Sequence, residues 1–242
     1  MNRLNKFNIH NLFKQKSFYI CTIILIALAS LGIIANVVTA NFIMHKTLNI
    51  NSNDTLIDFL SPGSFDLFVA IFIALFYTLD VSNGTMKNII ARGFSRKQVF
   101  ASKFFTIMFG VTIMFIASFI FAYIVTFIAG GKIVMLNGNV LSKIGISYVN
   151  VLGIASLYTL ISSIVSKPSG ALVACILTNF LAPTLLFTID TLLKLKTNIG
   201  LSKFWIVNAS NNKGIMVIII CIVYILVSYI LGSIISSKKE IK

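Results

Sequence analysis

The residues best suited to chemistry lie between positions 80 and 103, in the longest charged stretch between two apolar runs of this chain. The stretch begins with Asp80 and contains five basic side chains: Lys87, Arg92, Arg96, Lys97 and Lys103. A carboxylate at the end of an apolar run is costly when it has no partner. We therefore expect Asp80 to pair with Lys87, Arg96 or Lys103, or to cap the helix that follows it.

The same stretch carries the end signals of a short helix. Ser82 or Asn83 is a candidate N-cap, because a short side-chain oxygen accepts hydrogen bonds from first-turn amides. Three apolar residues recur at i, i+3 and i+4 and predict one narrow apolar face: Met86, Ile89 and Ile90. Gly93 suits the left-handed residue that ends such a helix.

A second helix begins with a stronger signal. Ser95 and Gln98 have the spacing of a capping box, in which each side chain accepts a hydrogen bond from the other residue's amide. Phe94 and Val99 have the spacing of a hydrophobic staple. Two interpretations stay open for the stretch: a basic amphipathic element that docks a partner, or an ordinary interfacial loop that only caps the next helix.

Signatures of catalysis are absent from the sequence. Gly130-Gly131-Lys132 is followed by isoleucine and lacks the earlier glycine of a phosphate-binding loop. His10 and His45 both lie outside the apolar runs, which disfavours a histidine-dependent hydrolase within the membrane. The three cysteines lie in apolar runs without metal-ligand spacing and are expected to pack as small hydrophobes: Cys21, Cys175 and Cys221. We expect no enzyme site, metal or bound cofactor in this chain.

The composition indicates a membrane protein. Of the 242 residues, 57% are hydrophobic and 11% are charged, whereas soluble domains carry about 25% charged residues. The net charge of +14 is located in the gaps between apolar runs. Anionic lipid headgroups therefore suit it better than a nucleic acid does.

Six apolar runs near the length of a membrane-spanning helix predict an all-α fold in a single transmembrane domain over residues 1–242. Ser64 is a candidate cap for the second span, and Pro183 is expected to kink the fifth. The third span is expected to continue the helix capped at Ser95, so its excess length projects from the membrane. The predicted spans are 18–40, 65–80, 104–129, 141–165, 170–189 and 214–235.

The segments outside the spans suggest orientation. With both termini inside, the inner segments hold thirteen Lys and Arg residues and the outer segments hold seven, which favours cytoplasmic termini. The second span has Asp66 and Asp80 near its two ends, and the spans otherwise contain almost no ionisable group. A proton-coupled carrier is therefore disfavoured, since it needs such groups near the midplane. Any transport energy has to come from another chain.

Two interfacial segments are predicted. Residues 1–17 contain a basic stripe and favour a short helix at the cytoplasmic headgroups, with a disordered basic tail as the alternative: Arg3, Lys6, His10 and Lys14. Residues 190–213 contain four lysines, Phe204 and the single Trp205. We expect this outer loop to lie in the interface, where indole rings concentrate, and the alternative is packing on neighbouring helices.

The order of polar residues in the 80–103 stretch resembles the segment between spans two and three in permeases of the type-2 ABC transporter family. The matching positions are Asp80, Asn83-Gly84-Thr85, Lys87, Ile89-Ile90, Ser95-Arg96 and Lys103. The family usually has glutamate at the position of Asp80 and often a proline near position 93 or 94. The motif covers about a tenth of the chain, and the six spans with an outer loop before the last extend the likeness over its whole length.

The resemblance implies a permease half that pairs with a second permease and with two cytosolic ATPase subunits, which bind ATP and magnesium. It further implies that residues 82–103 form a coupling helix on the ATPase. The implied docking residues are Asn83, Gly84, Thr85, Met86, Lys87, Ile89, Ile90, Arg92, Ser95 and Arg96. The small size is similar to the peptide-export and immunity branch, including staphylococcal-type exporters of phenol-soluble modulin peptides. The Lys-, Ile- and Asn-rich composition suits the cell membrane of a Gram-positive bacterium. A membrane anchor or sensor subunit that does not transport is the alternative.

Overall fold

The computed structural model describes residues 2–42, 62–130, 138–165, 167–193, 205 and 214–238. Within these ranges the regular secondary structure is helical and includes no strand, as the sequence predicts. The helices are α1 (Asn2–Lys14), α2 (Lys16–Phe42), α3 (Pro62–Ser82), α4 (Thr85–Ala91), α5 (Arg96–Gly130), α6 (Gly138–Ile164), α7 (Pro168–Leu192) and α8 (Gly214–Lys238).

Five of these helices are long and apolar enough to cross a membrane: α2, α5, α6, α7 and α8. The sixth candidate is α3 taken together with α4, which are bent by 60° at the break between them. Large apolar side chains on the long helices point outward, including Ile128, Phe187 and Ile215. Outward apolar faces of this kind are typical of helices that contact lipid. The described part of the chain is thus all-helical, with five to six helices able to span a membrane.

The helix ends follow the predicted runs with two differences. As predicted, α5 is continuous from the turn after Ser95, and its 35 residues make it about 52 Å long. The hydrocarbon core is only about 30 Å thick, so α5 is longer than a span requires. Ser64 is not an N-cap, because α3 already begins at Pro62, whose missing N–H costs nothing in a first turn. The outer loop begins later than position 190, because α7 extends to Leu192.

The bundle is held together by apolar packing between distant helices. The most extensive contact joins α6 and α8, while α2 packs on α5, and α3 packs on α6 and α7. All three cysteines are free and buried in this packing, which confirms that they act as small hydrophobes. Pro183 lies inside α7, which continues through it as one helix.

A close contact between α5 and α8 depends on a residue without a side chain. Gly232 on α8 is buried, and a Cβ atom there would overlap the ring of Phe100 on α5. The Phe100 ring is itself buried and packs near Tyr77, Phe104 and Tyr229. It therefore has little room to move away.

We predict that Gly232→Ala destabilises the protein by about 1–3 kcal/mol, the usual cost of overpacking a core. Gly145→Ala on α6 is the matched control, since a Cβ there meets no atom within 4 Å, and alanine favours the helix. Thermal unfolding of both purified variants in detergent is the measurement. Equal midpoints for the two variants would contradict the close contact.

Candidate functional site

A buried ion pair lies at the end of the bundle that carries α4, which we call the α4 end. The Nζ atom of Lys103 on α5 is 2.6 Å from Oδ2 of Asp80 on α3. The Lys103 side chain has 0% exposure and that of Asp80 has 7%. The attraction between two charges removed from water offsets their desolvation cost only when further polar contacts satisfy both groups.

Further contacts do surround the two charges. The Lys103 ammonium also donates to the backbone oxygen of Tyr77 at 3.4 Å. It lies 5.6 Å from the ring centroid of Phe76 and 5.2 Å from that of Tyr77, within cation–π range. The Asn11 amide donates to both carboxylate oxygens of Asp80 at 3.3 Å. The cation is thus held by α3 alone, and the carboxylate by both α5 and α1.

Helix α1 is attached to the same site by one face. Leu4, Asn8 and Leu12 recur at i, i+4 and i+8 and are buried. The buried amide of Asn8 donates to Oγ of Ser102 on α5 at 2.7 Å. The sequence did not predict Asn8 and Asn11 as residues of the site, because the helical pattern used for a buried face counts apolar residues only. The predicted basic stripe is exposed on α1: Arg3, Lys6, His10 and Lys14.

The turn from α3 to α4 differs from the prediction. The Ser82 hydroxyl donates back to the Leu79 carbonyl at 3.0 Å. The backbone N–H of Asn83 donates to the same oxygen at 2.9 Å. Both residues therefore finish α3, and neither caps α4. The N-cap of α4 is Gly84, which has a φ of 70° and no side chain with which to cap. This left-handed conformation, which glycine adopts without strain, permits the sharp bend.

Helix α4 is amphipathic, with its first residue at Thr85. It buries Met86 and Ile89 and half-buries Ile90, so the predicted apolar face points into the bundle. The opposite face exposes Lys87 and Asn88, and Arg92 is exposed at the C-cap of the helix. The α4 end therefore presents positive charge outward from a short helix whose inner face is fixed by packing.

The turn from α4 to α5 follows the predicted pattern. Gly93 has a φ of 92°, the left-handed value expected at this position. The backbone N–H of Ser95 donates to Oε1 of Gln98 at 3.1 Å, and the backbone N–H of Gln98 donates to Oγ of Ser95 at 3.3 Å. This reciprocal pair is the predicted capping box. Arg96, the first residue of α5, is half-buried.

A groove separates α1 from α4. Its volume is about 380 Å³, and its lining combines two guanidinium groups with apolar side chains: Arg3, Leu4, Phe7, Ile89, Arg92 and Phe94. Among the described residues no group of three or more His, Cys, Asp and Glu side chains is arranged to hold a metal ion. The chemistry that the α4 end supports is the binding of an anionic or acidic partner.

The other predicted interface lies partly outside the described residues. Phe204 and most of the 190–213 segment fall there, while Trp205 is described. The Trp205 ring centroid lies 6.3 Å from that of Tyr224 on α8, with the planes at 89°. The ring thus packs edge-on against the bundle, and its placement in the membrane interface stays a prediction.

No model of a known protein family matches this chain, and no curated protein matches it.

The first prediction for the site concerns the ion pair. Asp80→Asn or Lys103→Met should each destabilise the protein by about 3–5 kcal/mol, because each leaves a buried charge without its partner. The double variant should regain most of this loss, since it removes both charges. Thermal unfolding of the purified variants is the measurement, and Lys97→Met, an exposed position on the same helix, is the control. If the double variant lost as much stability as the two single variants together, the pairing would be contradicted.

A further prediction concerns Trp205, the single tryptophan of the chain. In proteoliposomes, lipids brominated at shallow depth should quench its fluorescence strongly, and acrylamide should quench it weakly. Tyr224→Ala should increase quenching by acrylamide, because it removes the ring that packs against the indole. Full quenching by acrylamide without any effect of brominated lipid would place Trp205 in water.

Proposed function

We propose that this chain is the permease subunit of an ATP-driven exporter of the type-2 ABC kind. The observation that supports this function best is the structure of the α4 end. There a short basic helix exposes Lys87 and Arg92 while its apolar face is packed against the bundle. A rigid, outward-facing helix between two long helices suits the transfer of force from a cytosolic motor.

The ion pair gives this transfer a physical route. Asp80 lies two residues before the end of α3, and Lys103 lies about two turns into α5. Because the two side chains are bonded and buried, a push on α4 acts on α3 and α5 together. The capping box at Ser95 holds the start of α5 and limits bending at that point.

In this proposal α2, α3, α5, α6, α7 and α8 are the six spans, α4 is the coupling helix, and both termini are cytoplasmic. The excess of basic residues on the inner segments supports this orientation. The chain contributes no ATPase site of its own, and ATP with magnesium binds to the partner ATPase subunits. The other expected partners are a second permease copy or homologue and membrane lipid.

We further propose that the exported molecule is an amphipathic or hydrophobic peptide, in the manner of toxin-export or self-immunity systems of the Gram-positive cell membrane. The outward apolar faces of the long helices support a location in lipid, from which such a peptide can be taken. The substrate assignment depends on the family resemblance of the 80–103 stretch.

A membrane anchor or sensor that recruits a cytosolic protein is the second candidate. The exposed basic face of α4 supports it equally, since docking needs no transport pathway. Turnover by a co-purified ATPase separates the two functions. A transport subunit should change the ATPase rate and make it depend on the state of the ion pair, whereas an anchor should leave the rate unchanged.

The docking prediction can be tested with single cysteines in a background that lacks the three native ones. Cysteines at Lys87 and Arg92 should crosslink to the co-expressed ATPase, because both side chains are exposed on α4. A cysteine at the buried Met86 is the matched control and should not crosslink.

Topology is tested with the same variants in intact cells. An impermeant thiol reagent should leave cysteines at Lys87 and Arg92 unlabelled, and should label one at Asn139, which is exposed at the opposite end of α6 from Ile164. Labelling of the α4 positions from outside would contradict both the orientation and the ATPase docking.

A further inference from the structure

The second carboxylate of α3 is buried. Asp66 has 1% exposure, and among the described residues neither of its carboxylate oxygens has a hydrogen-bond partner. The sequence places it near the end of a span, where solvent would be expected to solvate it. The structure instead encloses it in the bundle, as it does Asp80, but without a counterpart to Lys103.

The helices packed on α3 bring few ionisable groups to Asp66. Tyr158 on α6 lies within electrostatic range of it, has 1% exposure, and its hydroxyl also lacks a hydrogen-bond partner. Other ionisable side chains in the described parts of α2, α4, α5, α6 and α7, the helices with the larger contacts to α3, are Lys16, Tyr19, Cys21, Lys87, Arg96, Lys97, Lys103, Tyr123, Lys143, Tyr148, Cys175 and Asp190. Lys103 is already bonded to Asp80.

An ionised carboxylate in this position is strongly disfavoured. Burial of an unpaired charge costs far more than burial of a neutral polar group, and a carboxyl group avoids that cost when it takes up a proton. Ionisable groups within membrane spans are therefore default candidates for functional sites. A bound proton makes Asp66 neutral without any change in the surrounding packing.

We propose that Asp66 is a proton-binding site within the bundle, enclosed where α3 packs on the neighbouring helices. In the packed arrangement the carboxyl group is neutral and holds one proton taken from water. A movement of α3 away from the neighbouring helices that admits water would stabilise the carboxylate, and the proton would return to water. Because α3 also ends at the Asp80–Lys103 pair, proton binding at one end is mechanically connected to the α4 end.

This inference does not require the proposed export function, since it depends on the burial of Asp66 alone.

The test measures thermal stability against pH between pH 5 and pH 8 for the purified full chain. An unfolded aspartate loses its proton near pH 4, so a folded state that retains the proton becomes less stable as pH rises. The wild-type midpoint should fall by about 3 °C per pH unit relative to Asp66→Asn. Asp190→Asn, the same change at another buried aspartate, is the control and should keep the wild-type slope. Equal slopes for wild type and Asp66→Asn would overturn the proposal.

Infrared spectroscopy of the protein in bilayers gives a second readout that does not require Asp66→Asn to be stable. A protonated carboxyl group has a C=O stretching band that ionised carboxylates lack. The band should be present at pH 7 in wild type and in Asp190→Asn. Its absence from both would show that Asp66 is ionised and would overturn the proposal.

Discussion

The bond between Asp80 and Lys103 constrains the arrangement of everything at the α4 end. Both groups are enclosed among aromatic rings and helix backbone, where an unpaired charge is expensive. Their 2.6 Å contact requires the end of α3 and the start of α5 to remain adjacent. The residues between them must therefore form a short, compact connection. This connection is a seven-residue helix between two left-handed glycines.

The same constraint explains the position of α1. Asn11 satisfies the remaining acceptors of Asp80, and Asn8 bonds to Ser102 one residue before Lys103. The N-terminal helix thereby becomes part of the polar site, and its exposed basic stripe adds to the positive charge of α4. The groove between α1 and α4, with Arg3 on one side and Arg92 on the other, is a product of this joint attachment.

The two aspartates of α3 show how the same side chain has different roles in one helix. Asp80 is buried beside a cation and a carboxamide near the end of the helix, so its negative charge is stabilised by these partners. Asp66 is buried with no hydrogen-bond partner among the described residues, so the same charge would be a cost. The difference arises from what the neighbouring helices place opposite each position, and it makes one group structural and the other responsive to protons.

Much of the fold follows from the sequence alone, because long apolar runs and local end signals depend on residues close together in the chain. The continuity of α5, the capping box at Ser95 and the left-handed Gly93 are of this kind. The predicted N-cap of α4 was wrong because Ser82 and Asn83 bond to a local partner, the Leu79 carbonyl, and α3 extends to Ser82, two residues beyond the predicted span.

Contacts between distant positions required the tertiary structure. The sequence left three bases open as partners for Asp80, and only the packing of α5 beside α3 selects Lys103. No local pattern showed that Asn8 and Asn11 would face this pair, since their partners lie 94 and 69 residues away. The burial of Asp66 likewise depends on the helices that pack on α3. The sequence alone determined where the helices form and where charge collects, because these depend on near neighbours; tertiary structure decided which charges are paired, because burial and partners come from helices far away along the chain.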